Sequence, residues 1–175
     1  MVQLFELMGK RNNSKLITYF LGHPTLEIYP QKLHKELKMS RKGMFDALDA
    51  AYTAGILEAD MIGRTRIYRL RRVNPEVRQL KILYSIDGIM KLLEKLEGVG
   101  VEVYLYGSAA RGEDTEKSDI DLLLIGDAGR SQIIGKLGKD KRLKPLFLTF
   151  MEYSSLARKD PAFYNRLEKD RIRLM

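Results

Sequence analysis

Two short segments of this chain hold residue types whose spacing suits chemistry on a phosphate. Gly107-Ser108 follows the run Val101-Glu102-Val103-Tyr104-Leu105-Tyr106, and after ten intervening residues comes Asp119-Ile120-Asp121. A glycine directly after a strand lets a phosphate approach the backbone, and a serine hydroxyl with nearby amides can hold its oxygens. Aspartates two apart on a strand point to the same side and can share a divalent cation. Gly107-Ser108 alone is a turn, and a salt-bridged surface loop is the bland alternative for the whole set. Arg111 stands where it could cap a helix end.

Such groups work only if regular elements hold them. Leu122 to Ile125 is apolar on both faces, which predicts a strand in the middle of a covered sheet with the acids where it emerges into a cleft. Leu146-Phe147-Leu148 is a shorter strand candidate. Helices are predicted near Ser131, after Thr149, where Thr149-Phe150-Met151-Glu152 fits a capping box, and after Asp160-Pro161. Upstream, Asn74-Pro75-Glu76 opens a long helix with the stripe Val77, Leu80, Leu83, Ile86, Met90, Leu93 and Leu96, ended by Gly98.

The segments Leu105-Tyr106-Gly107-Ser108-Ala109-Ala110-Arg111-Gly112 and Ser118-Asp119-Ile120-Asp121-Leu122-Leu123 resemble the signature of the polymerase-beta-like nucleotidyltransferase superfamily, most closely its minimal branch. The resemblance covers residues 98–175. It implies that Asp119 and Asp121 are catalytic and bind magnesium ions (Mg2+), and that Gly107 and Ser108, with Arg111 assisting, hold a nucleoside triphosphate. Catalytic members carry a third carboxylate on a later strand. Here that strand reads Leu146-Phe147-Leu148-Thr149, without an acid. Glu152, Asp140 and Asp160 lie nearby but off the expected position, and a restored acid would belong at Phe147 or Leu148, whichever faces Asp121. The departure touches catalysis more than fold.

The amino-terminal part has another character. Leu16, Ile17, Phe20 and Leu21 recur at helical spacing after the capping candidates Asn13 and Ser14. Leu26 to Tyr29 reads as a short extended piece. Pro30 opens a helix that carries Leu33 and Leu37, and Ser40 caps a third helix with Phe45, Leu48 and Tyr52 as its expected buried stripe. Strand-like runs at Ile56 to Ala59 and Arg66 to Leu70 flank a turn at Ile62-Gly63. The order of these pieces resembles the winged helix-turn-helix regulators over residues 14–72. That resemblance implies reading of double-stranded DNA by Ser40, Arg41 and Lys42, with Gly43 and Met44 as further candidates, and a wing presenting Arg64 and Arg66. Arg69, Arg71 and Arg72 extend the charge, whereas Asp46 and Asp49 oppose it. A protein-binding module is the alternative, since fold does not fix function.

The expected fold class is therefore α+β: a winged helix-turn-helix (1–73), a linker helix (74–97) and a small mixed-sheet nucleotidyltransferase domain (98–175). Charge agrees with that division. Of the net +8, residues 1–74 carry +6 from 13 basic and 7 acidic side chains, the footprint of a polyanion partner. Cysteine is absent, which excludes disulfides and thiolate metal sites, and His23 and His34 lie in unrelated patterns and read as structural. No apolar run has membrane-spanning length and no signal peptide opens the chain, so a cytoplasmic protein is expected. Asn and Gln together number only eight beside abundant Lys, Arg and Glu, a bias toward a thermophilic source.

Two functions follow from this reading. One is a DNA-binding regulator whose second domain binds a nucleoside triphosphate with Mg2+, with weak or absent turnover. The other is an active nucleotidyltransferase, as in small antitoxins of the minimal type, which the resemblance links to transfer of a nucleotide onto a partner protein. About 78 residues leave no room for an acceptor domain, so a partner or a second subunit would supply that pocket, and a homodimer would match two DNA half-sites.

Overall fold

The computed structural model describes residues 4–138 and 140–175. The chain is α+β and separates into two compact units, Met1–Leu80 and Lys81–Met175. Among the described residues no helix is long and apolar enough to cross a membrane.

The first unit holds helices α1 (Leu4–Met8), α2 (Arg11–Gly22), α3 (Pro30–Leu37) and α4 (Arg41–Thr53), then strands β1 (Leu57–Ile62) and β2 (Thr65–Leu70). Helix α2 begins before its predicted caps: Lys10 precedes it and Asn13 is buried within it. Pro30 starts α3, and Lys38 ends it in the left-handed region at φ 48°. Ser40 caps α4 as expected, its hydroxyl accepting from the Gly43 amide at 3.1 Å.

The buried stripe of α4 differs from the expected one. Met44, Ala47, Leu48 and Ala51 face the core, while Phe45 and Tyr52 are 50% and 44% exposed. Ala47 and Ala51, one turn apart, give α2 a smooth surface to pack on, so the helix turns its small residues inward. Strands β1 and β2 pair antiparallel from Ile62↔Thr65 to Leu57↔Leu70, joined by Gly63-Arg64 with Gly63 at φ +62°. The piece read as extended before α3 supplies one bridge, Ile28 to Tyr68.

Helix α5 (Pro75–Leu93) is shared by the two units. Asn74 fixes its start: its Oδ1 accepts from the Glu76 amide and its Nδ2 donates to the Gly55 carbonyl, both at 2.8 Å. Leu83 and Met90, expected in the stripe, are exposed. Val77, Leu93 and Leu96 are buried as expected, but the buried line from Val77 to Leu93 runs every fourth residue, through Lys81, Ser85 and Ile89. Hydrophobic periodicity missed it because a lysine and a serine occupy two of its five places.

A 3-10 turn (Glu94–Leu96) leads into the second unit: β3 (Glu102–Tyr106), α6 (Gly107–Ala110), β4 (Ile120–Ile125), α7 (Arg130–Leu137), β5 (Leu143–Leu148), α8 (Phe150–Lys159), α9 (Pro161–Asp170) and β6 (Ile172–Arg173). The sheet order is β5-β4-β3-β6, with β4 parallel to β5 and β3 antiparallel to both of its neighbours. The predicted central strand is β4. Its Leu122 and Leu124 pack with Ile89, Leu93 and Ile133, while Leu123 and Ile125 pack on the other face with Leu167 and Tyr153. Strand β5 begins three residues earlier than expected and contains Pro145, tolerated because β5 is the last strand in the order. The Thr149/Glu152 capping box and the Asp160 cap of α9 are both present. Strand β6, two residues long, had no sequence signal.

Candidate functional site

The second unit brings its predicted residues together at the ends of β3 and β4. Tyr106 pairs with Asp121 in the β3–β4 register, so the chain leaves the sheet at Gly107 directly beside that aspartate. Gly107 has φ +73°, and a Cβ there would run into the Asp121 carboxylate, with Cγ at 3.2 Å. Only glycine gives this turn and leaves room for the acid. A single helical turn follows, closed by the Arg111 and Glu113 amides, which donate to the Ser108 carbonyl at 3.2 and 2.9 Å.

Asp119 lies just outside β4 and Asp121 is its second residue. The Asp119 side chain is 53% exposed. Burial, with the Asp119 charge beside it, pushes the Asp121 carboxyl above the usual carboxylate range; Arg111 and Lys144 pull it back. Burial and the Asp121 charge likewise raise the Tyr106 phenol. Two carboxylates are thus held close at a strand end, with the Lys144 ammonium 3.9 Å from Asp119 Oδ1. Such an arrangement costs stability and gains by acquiring a cation.

Arg111 forms ion pairs with Glu113 at 2.9 Å and Asp170 at 3.1 Å. It ties the turn to the end of α9 while its charge still reaches Asp121. The loop from Arg111 to Asp119 is fixed by groups outside the expected site residues. Thr115 donates its amide to Ser118 Oγ at 2.9 Å. Lys81, on the buried line of α5, pairs with Asp114 at 2.7 Å, and these side chains are only 4% and 15% exposed. Asp114 Oδ1 is buried with no hydrogen-bond partner. Replacing Lys81 by Met would leave the whole carboxylate uncompensated, so a loss of about 3–5 kcal/mol is expected, read as a lower midpoint in chemical denaturation. Lys81→Met with unchanged stability would show that the pair does not hold the loop.

Neither position expected for a restored third acid, Phe147 or Leu148, pairs with Asp121. Phe147 and Leu148 pair with Leu124 and Ile125, deep along β4; the residue of β5 that pairs with Asp121 is Lys144. The three nearby acids have other tasks. Asp140 pairs with Arg142 at 3.0 Å, Glu152 closes the Thr149 capping box, and Asp160 accepts from the Phe163 amide at 2.9 Å. Among the described residues no group of three or more His, Cys, Asp or Glu could hold a metal. Two carboxylates still fit one magnesium ion, which commonly takes one or two protein carboxylates plus substrate phosphates. They do not fit a cage of three acids.

A cleft of about 430 Å³ opens beside the turn, lined among others by Tyr106, Gly107, Arg111, Phe163, Arg166 and Lys169. Arg166 lies over the Phe163 ring, 5.5 Å from its centre. Arg166 and Lys169 belong to no motif of the sequence, although α9 carries them three apart, on one side of the helix.

In the first unit the predicted DNA-contact residues separate. Arg41, Lys42, Arg64 and Arg66 are exposed, Ser40 has its hydroxyl engaged as the α4 cap, and Gly43 is half-buried. Met44 is 1% exposed and cannot meet a ligand. Arg69, expected to extend the basic surface, is ion-paired with Glu27, Glu58 and Asp60, and its hydrogen bonds to Asp60 and Glu58 hold its guanidinium well above the ordinary range. A groove of about 780 Å³ runs past Phe45, Asp46, Asp49, Arg64 and Arg66. Arg66 stands 5.8 Å from the centre of the Tyr52 ring. The two histidines bond locally, Nδ1 of His23 with the Tyr19 carbonyl and Nδ1 of His34 with the Met39 carbonyl.

Comparison with known families gives one result: the family model for a nucleotidyltransferase domain matches residues 86–174, starting inside α5 rather than at Gly98. No curated protein and no solved structure matches the chain.

Proposed function

The chain belongs to the nucleotidyltransferase-domain family, whose members imply a nucleoside triphosphate as substrate, and from that premise we propose that this protein is a DNA-binding regulator that holds a triphosphate and turns it over slowly or not at all. The triphosphate lies against Gly107 and Ser108, with Arg111, Arg166 and Lys169 supplying positive charge. Asp119 and Asp121 hold a magnesium ion, which would neutralise phosphate charge. The observation that carries this reading is the close approach of the Asp121 carboxylate to Gly107 at the strand end: a carboxylate kept where its ionisation is costly, beside a glycine that lines the cleft. The DNA part rests on the order of α3, α4 and the β1–β2 hairpin, which suits a winged helix-turn-helix, and on exposed Arg41, Lys42, Arg64 and Arg66 at its reading end. A homodimer would match two half-sites.

The retained acid pair favours a second reading, active transfer. In that case the nucleoside monophosphate passes to a hydroxyl of a partner protein, as in antitoxin-type enzymes, and pyrophosphate leaves. Against it stands the missing third carboxylate, since loss of general-base assistance costs a factor of about 10²–10⁴ in rate. The experiment is transfer of label from each triphosphate to protein, RNA and candidate partners, with Asp119→Asn as control. Bound label without transfer is the expected outcome. Rapid transfer by the wild type that vanishes in the variant would make the protein an enzyme.

A further inference from the structure

The strand register puts a cation beside the pair of acids. Strands β4 and β5 run parallel with Asp121 paired to Lys144, so both side chains leave the same face of the sheet. Lys144 Nζ lies 3.9 Å from Asp119 Oδ1, and the two side chains are 56% and 53% exposed. That separation is an ion pair but not a hydrogen bond. A long, solvated stem can therefore turn its ammonium toward a ligand without breaking a buried contact.

The charges then set the stoichiometry. Asp119 and Asp121 bring two negative charges, which one divalent cation cancels. A second divalent cation on the β5 side would meet the Lys144 ammonium in place of a carboxylate and be repelled by it. An incoming phosphate oxygen at that place meets the opposite: a donor with three protons and a full positive charge.

We propose that this site takes its nucleoside triphosphate with a single divalent cation, held by Asp119 and Asp121, and that Lys144 donates to a phosphate oxygen where a second cation would otherwise stand. The inference rests on the reading of Gly107, Ser108 and the two aspartates as a triphosphate site. It makes Lys144 a binding residue that sets both affinity and metal count, and it places the site among nucleotide binders rather than two-metal catalysts.

The test is equilibrium dialysis of the full chain against Mn2+ and a labelled, non-hydrolysable triphosphate, reading bound metal and bound nucleotide together. The wild type is expected to hold one Mn2+ per nucleotide. Lys144→Ala should weaken nucleotide binding about tenfold, the loss of one charge-assisted hydrogen bond, and Lys144→Arg should restore most of it. Lys144→Asp should raise the ratio toward two metals per nucleotide. Two metals per nucleotide in the wild type, or Lys144→Ala binding as tightly as the wild type, would overturn the proposal while leaving the triphosphate site standing. No nucleotide bound with any cation would instead overturn the triphosphate site itself, and the role of Lys144 with it. Because Lys144 is exposed, its variants should fold, and an unchanged melting curve checks that they do.

Discussion

Replacing Asp119 and Asp121 together by Asn should reduce magnesium-dependent triphosphate affinity at least about 100-fold and leave the protein folded. A hard cation needs the carboxylate charge, and loss of direct ligands should cost no less than the 10- to 100-fold measured for their supporting partners. The folding half of the prediction follows from linkage. Burial and the Asp119 charge hold the Asp121 carboxyl above its ordinary range, so the native state keeps that proton more tightly than the unfolded chain does. Ionising it costs stability as pH rises from the ordinary value through the raised one, and the cost remains at neutral pH. Asn carries no such cost, so the double variant should melt no lower than the wild type. By the same sign, wild-type binding should weaken as pH falls through the raised value, earlier than for an ordinary aspartate. Calorimetry in magnesium and a thermal scan measure both halves; equal affinity in the variant would remove the carboxylates from the site.

The second large effect is expected on DNA. Charge reversal at Arg41, Lys42 and Arg64 removes three exposed cations from the end of α4 and the hairpin turn. Each cation that neutralises a phosphate contributes nearly one unit to the slope of log affinity against log salt, so the slope should fall by about three. Affinity at low salt should drop on the order of 10³-fold, since each repelled phosphate also resists approach. Asp46 and Asp49 lie on the exposed side of the same helix, and changing them to Asn should strengthen binding. Fluorescence anisotropy with random duplex DNA over a salt series reads all of this. A triple variant that binds as the wild type does would turn attention to the groove past Phe45 as a protein-binding surface.

Motifs that depend on local chemistry were legible in the sequence. The Ser40 cap, the Thr149 capping box, the Asp160-Pro161 start and the apolar run of β4 each involve a few adjacent residues, and the structure has all four. The resemblance of the two segments implied that Gly107-Ser108 and the two aspartates share a site, but the contact of Gly107 with Asp121 itself needs the β3–β4 register.

What failed depended on partners far along the chain. Phe45 and Tyr52 were expected in the core on hydrophobicity, but Ala47 and Ala51 fit α2 better. Lys81 gave no core signal because its partner, Asp114, is 33 residues away. Lys144 could not be matched to Asp121 without the register of two parallel strands, which a sequence does not display and which Pro145 obscured. Arg69 read as a free positive charge for the same reason: its three carboxylates come from two other segments.

The most direct test of the central claim is a calorimetric titration of the purified full chain with each nucleoside triphosphate, with and without magnesium. The account predicts saturable binding of at least one triphosphate, strengthened by magnesium and competed by pyrophosphate. A folded protein that gives no heat with any of them under either condition would contradict it.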